Sequence, residues 1–154
     1  MAVAIAGGCG TSTYRTGSAV GRFEVRLVAT RGAEGERAQR FFSDEELTLE
    51  SRVLLRRRDV REVQLENRPD GERHIVLYLT GRGRGRLARA TRQNLHRRLA
   101  ILVDGRVVMA PEILTEISEG IAHIRVGDGD IEEVYEALTQ APTSGGAGTG
   151  DGDS

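Results

Sequence analysis

The chain has 154 residues, enough for one domain with tails and a real hydrophobic core. Its net charge of −1 supplies no global field for nucleic acid or an anionic membrane, and no stretch approaches the roughly 20 apolar residues of a membrane span. Every basic residue is Arg, which a GC-rich codon bias explains more simply than any demand for guanidinium chemistry.

The first residues, MAVAIAGG followed by Cys9 and a Gly/Ser/Thr stretch, resemble the end of a bacterial lipoprotein signal. Cys9 is the sole cysteine, so it forms no internal disulfide; on this resemblance it is the candidate lipidation site. The basic start and long apolar segment of a full signal are missing, which an upstream start codon would repair. We therefore read 1–22 as a truncated signal-like segment and flexible linker, 23–140 as the folded domain, and 141–154 as a disordered tail. The tail is rich in Gly, Ser and Asp and buries too little apolar surface to offset its chain entropy.

Alternation from Phe23 to Ala29 predicts a half-buried strand. Residues 31–39 are charged, carry Gly32 and Gly35, and read as a loop leading to a short helical turn. Ser43-Asp44-Glu45-Glu46 has the composition of a cap. Residues 60–66 and 74–80 alternate on either side of Pro69-Asp70-Gly71 and predict a β-hairpin. The period then changes: Leu87, Thr91, Leu95 and Leu99 recur at helical spacing over 84–98. Residues 99–103 form a continuous apolar run, hence a buried strand, which Asp104-Gly105 returns as a hairpin ending before Pro111. Residues 121–126 are another strand. Asp130 is a candidate N-cap for a last helix, with Ile131, Val134, Tyr135 and Leu138 on one face. The expected class is α+β: a mainly antiparallel sheet with two amphipathic helices on one face, for which a ferredoxin-like layout is one arrangement.

Several patterns invite chemistry. Gly81-Arg-Gly-Arg-Gly-Arg86 sits where a phosphate loop would, but it lacks the Rossmann sixth-position Gly and the Walker Lys. A flexible strand-to-helix turn is the better reading. Arg82, Arg84, Arg86, Arg89, Arg92, Arg97 and Arg98 run without an intervening acid. A solvated face balanced by the acidic second half is favoured over a nucleic-acid site, for want of aromatic interleaving. Asp128-Gly-Asp130-Ile-Glu132 lacks the Gly and closing Glu of a calcium loop and reads as a helix cap. His74, His96 and His123 lie on separate elements without metal spacing. No nucleophile elbow or convergent acid–base set is legible, so we expect neither enzyme activity nor a cofactor.

From 99 to 124 the residues resemble the signature of the SecD/SecDF protein-export membrane proteins. An apolar strand ends in Asp104-Gly105, a return strand ends in Ala110-Pro111, and Ile-x-x-Gly120-x-Ala122-x-Ile124 follows. Ala88-Arg-Ala-Thr91 is similar to the Ala-x-x-Thr of the family's preceding helix. Val53-Leu54-Leu55 with Asp59-Val60, and the helix beginning at Ile131, match further segments in order. The resemblance implies the head subdomain of the first periplasmic domain over about 23–140. It marks Thr91, Asp104, Gly105, Ala110, Pro111, Gly120, Ala122 and Ile124 as mainly structural motif positions. The family's proton-driven step depends on membrane-embedded charges absent from this sequence, so the implied role is the head's alone: a non-catalytic envelope module contacting an unfolded or translocating polypeptide. Arg84, Arg89 and Arg92 are the candidate polar face for such a partner. The alternatives are a structural or interaction lipoprotein that kept only the fold and, less favoured, an Arg-rich nucleic-acid binder. No small-molecule substrate is expected, and membrane contact is expected only through an N-terminal lipid.

Overall fold

The computed structural model describes residues 13–17, 21–126 and 129–140. In chain order these form β1 (Thr13–Gly17), β2 (Phe23–Val28), β3 (Glu36–Gln39), β4 (Glu46–Arg56), a 3-10 turn (Arg57–Asp59), β5 (Val60–Asn67) and β6 (Arg73–Leu79). Then follow α1 (Gly81–Gln93), β7 (Leu99–Val103), β8 (Arg106–Met109), β9 (Ile121–Ile124) and α2 (Ile131–Thr139). Among these strands all pairings are antiparallel, and with two helices the class is α+β as expected.

The strands divide into two sheets, ordered β1-β5-β6-β9 and β3-β4-β2-β7-β8. The reason lies in β4. Its first half pairs with β3 and its second half with β2, and its ladder with β2 carries two register shifts. Extra residues on one strand bend it and increase its twist. The five-stranded sheet consequently curls: just past β3, Arg40 bridges in parallel to Val107 of β8, and the Phe41 N–H donates to the Val107 carbonyl at 2.8 Å. The Arg106 guanidinium covers the Phe41 ring at 4.0 Å and reinforces the closure.

Curling creates two cores. The main one joins Val25, Leu55 and Ile101 of the five-stranded sheet to Leu65, Ile75 and Leu77 of the other, with Leu87 of α1 and Val134 and Leu138 of α2. The second lies inside the curl and uses small residues: Ala38, Leu49, Ala100, Leu102, Val107 and Ala110. This explains the unbroken apolar run in β7. Leu99, Ile101 and Val103 face one core, Ala100 and Leu102 the other, and all five are buried.

Three local expectations are corrected. Residues 13–17, expected in a linker, form β1 on the edge of the four-stranded sheet, paired from Thr13↔Asn67 to Gly17↔Val63. Residues 36–39, expected to approach a helical turn, are β3; only Ala38 of that strand is buried, too little apolar signal for the sequence to reveal a strand. The helix expected over 84–98 occupies Gly81–Gln93. Leu95 is exposed and His96 adopts φ 65°, so the residues after Gln93 are a connection, despite their helical spacing.

Candidate functional site

The N-terminus of α1 is set by Thr80, whose hydroxyl accepts the Gly83 N–H at 3.0 Å. The Gly/Arg segment is thus the first turn of a helix, not a flexible connection. Its glycines have a packing reason at one position: a Cβ on Gly83 would lie 2.5 Å from the Asp59 carbonyl oxygen. Asp59 is buried, accepts the Arg56 N–H at 2.9 Å, and pairs with Arg86 at 3.3 Å.

The connection from 111 to 120 is tied to α1 at three points. Thr91 is fully buried; its hydroxyl donates to the Leu87 carbonyl at 2.8 Å and accepts the Ile117 N–H at 2.9 Å. Arg92 makes a two-pronged contact with Glu116, both bonds at 2.9 Å. That hydrogen bond holds the Glu116 carboxyl below, and the Arg92 guanidinium above, the ordinary value. Gly120 sits at φ 76° with the Arg84 side chain about 3.2 Å from where its Cβ would be, which favours glycine there.

These ties frame an apolar cavity of about 260 Å³ beneath β9. Leu77 and Leu79 of β6, Leu87 of α1, Ala122 of β9, and Pro111 and Ile117 of the connection are among its lining. β9 lies at the sheet edge next to β6. The Leu79 N–H donates to the Gly120 carbonyl. Ladder alternation therefore turns the N–H and C=O groups of Ile121 and His123 away from β6. Among the described residues nothing pairs with that edge. An apolar hollow beside an unpaired strand can accept an extended chain, with main-chain bonds to the edge and a side chain in the hollow.

The other motif positions have structural work. Asp104 and Gly105 take φ 50° and 77° in the β7–β8 turn, and the Asp104 N–H donates to the Arg22 carbonyl. Ala110 is buried in the second core, and the Pro111 carbonyl accepts the Leu99 N–H at 2.9 Å. Ile124 is fully buried in the main core.

Of the three arginines expected to share a face, Arg84 and Arg92 both meet the 111–120 connection, and Arg89 is set apart. Arg84 lies against Gly120, Arg92 holds Glu116, and Arg89 lines a different cleft beside β4. Among the described residues, Arg92 is the one member of the arginine run that pairs with an acid from the second half; Arg86 and Arg97 reach Asp59 and Glu50 instead. His74 is buried and bonds Glu72, while His123 is exposed with its ring 6.3 Å from that of His74. Asp130 caps α2 by accepting the Glu132 N–H at 2.9 Å, and Glu132 is engaged by Arg15 and Arg73. Among the described residues no three His, Cys, Asp or Glu side chains gather as a metal site. Cys9, Asp128 and the tail lie outside the described residues. The edge and cavity escaped sequence reasoning because their walls come from strands and connections far apart in the chain.

Comparison with known proteins agrees with this fold. The sequence profile of the SecDF P1 head subdomain matches residues 34–136. Protein translocase subunit SecDF of Thermus thermophilus is 41% identical over 66 residues, 43% of this chain and 9% of that protein. The crystal structure of SecDF in its super-membrane-facing form superposes with a TM-score of 0.61 at 28% identity, covering 79% of this chain and 18% of that one. A second structure, of SecDF as a membrane component that enhances protein export, gives the same TM-score and identity over 61% of its chain. Our sequence thus spans a small part of the full-length relatives, and among its described residues no helix is long and apolar enough to cross a membrane. With the family profile covering most of the folded residues and the fold shared with two SecDF structures, the chain belongs to the SecDF P1 head subdomain family.

Proposed function

We propose that this chain is a non-catalytic module of protein export that receives an extended segment of an unfolded polypeptide along β9. The observation that carries the reading is the unpaired outer edge of β9 beside an apolar cavity of about 260 Å³. Main-chain bonds to Ile121 and His123 would supply sequence-tolerant affinity. Burying one aliphatic side chain in the cavity would add roughly 1.5–3 kcal/mol before ordering costs. Tolerance of sequence is what an export component needs. Family membership supports the export context and the periplasmic side of the envelope as the place of action.

The test is fluorescence anisotropy with a labelled, unstructured Leu-containing peptide. His123→Pro deletes an outward N–H without removing a bond to β6, so a proline there is tolerable on an edge. Binding should fall at least about fivefold while the melting temperature changes little. Unchanged binding in a folded His123→Pro protein would refute the strand-docking reading.

We propose further that Cys9 carries a lipid anchor. This rests on the lipoprotein-like sequence before it and on its being the only cysteine. Membrane fractionation of the wild type and Cys9→Ala, expressed from the native locus, tests it; identical partitioning of both discards it.

A further inference from the structure

A second concave surface lies on the opposite flank of α1. Between α1, β4 and the 3-10 turn runs a cleft of about 520 Å³, lined by six arginines and one glutamate. The arginines come from four places: Arg52 and Arg56 from β4, Arg58 from the 3-10 turn, Arg86 and Arg89 from α1, and Arg97 from the connection after it. Arg86 and Arg89 fall at i and i+3 on the helix, so both reach the same wall. Four apolar residues also line it: the half-buried Val53 and Leu54, and the buried Leu27 and Ala90.

Two of these arginines are already paired with carboxylates, one at the cleft and one buried beneath it. Glu50 pairs with Arg97, and Asp59 pairs with Arg86. Arg52, Arg58 and Arg89 are exposed and have no ion-pair partner among the described residues. The excess is local, since the chain as a whole carries −1. A concave, low-dielectric wall lined by one sign of charge concentrates its field on a ligand of the opposite sign.

We infer that this cleft binds an acidic polypeptide segment, its carboxylates on Arg52, Arg58 and Arg89 and its apolar side chains against Val53 and Leu54. Planar guanidinium forks suit carboxylates in two-pronged contact, as Arg92 and Glu116 show within this chain. The lining favours a polypeptide over nucleic acid, because it includes no aromatic ring for a base to stack on. The inference rests on the polypeptide-contacting reading and adds a chemical preference: clients or partner segments rich in Asp and Glu.

The experiment uses the full chain and three labelled probes: a short peptide alternating Glu and Leu, its Gln-for-Glu counterpart, and a single-stranded oligonucleotide. The Glu peptide should bind more tightly than the Gln peptide, and less tightly as salt is added. Arg52→Gln with Arg89→Gln should weaken the Glu peptide about five- to tenfold and leave the Gln peptide unchanged. Both side chains are exposed, so an unchanged thermal melt confirms the fold. Equal binding of the two peptides, or no effect of the double substitution, overturns the inference. Tighter oligonucleotide binding that the same substitutions abolish reassigns the cleft to phosphate and also overturns it. His123→Pro separates the two sites. Gln-peptide binding lost only in that variant supports the β9 reading alone, and Glu-peptide binding lost only in the arginine variant supports the cleft alone.

Discussion

Thr91→Val tests the tether between α1 and the connection that lines the cavity. The two side chains have nearly the same shape, so the substitution removes the hydroxyl and little else. Thr91 is fully buried, and its hydroxyl both donates to the Leu87 carbonyl at 2.8 Å and accepts from the Ile117 N–H at 2.9 Å. The Leu87 carbonyl retains its place in the helix ladder, so losing that donor costs little. The Ile117 N–H loses its acceptor. An orphaned buried donor costs about 1–3 kcal/mol, and because Ile117 is only partly buried the lower half applies, roughly 1–2 kcal/mol. For a folded domain of this size that is a fall in melting temperature of about 3–8 °C. Amide exchange should localise the damage: the Ile117 and Ala122 amides should exchange faster, while those of β7, buried between two cores, should not. Thr91→Ser, which keeps the hydroxyl, should restore slow exchange at Ile117. Equal melting temperatures and equal Ile117 exchange in the wild type and Thr91→Val would show that the hydroxyl does not hold the connection.

Gly83→Ala should destabilise by about 1–3 kcal/mol, against the small gain that Ala normally brings to a helix, because its Cβ meets backbone 2.5 Å away at Asp59. Gly85→Ala is the control. Nothing lies within 4 Å of a Cβ there, so thermal melts of the two should shift in opposite directions. The Arg92–Glu116 pair should respond to acid. A folded-state pKa below the ordinary one means that the pair contributes above the unfolded carboxyl value, near about 4.3, and is lost as pH falls through the lower folded value. Carboxyl carbon NMR should find Glu116 titrating below an ordinary glutamate, and Arg92→Gln should raise its midpoint. An unmoved midpoint would deny the contact.

Much of this protein was legible before any coordinates. The β5–β6 and β7–β8 hairpins follow from alternation broken by Pro69-Asp70-Gly71 and Asp104-Gly105, because turn geometry and period 2 are local properties. The capped α2 follows from Asp130 and the apolar spacing after it for the same reason. The motif around Gly120 and Ala122 pointed to the family, since each of those residues meets a backbone or packing demand that few others satisfy.

Tertiary structure decided what the period could not. Leu95 continues the helical spacing of Leu87 and Thr91, yet α1 ends at Gln93, because the His96 N–H donates to the Ile113 carbonyl and the Ile113 N–H to the Arg97 carbonyl, bonds that pull the chain out of the helix. β1 and β3 are edge strands recruited by neighbours, with little apolar alternation of their own. Most of all, the arginine run reads in sequence as one face. Folding splits it in two: Arg84 and Arg92 go to the 111–120 connection, at Gly120 and Glu116, and Arg89 to a cleft with Arg52 and Arg58. The sequence alone determined the hairpins, the last helix and the family resemblance, through local geometry and burial. Where the charges converge, and which strand edge stays open, depended on contacts between residues distant in the chain.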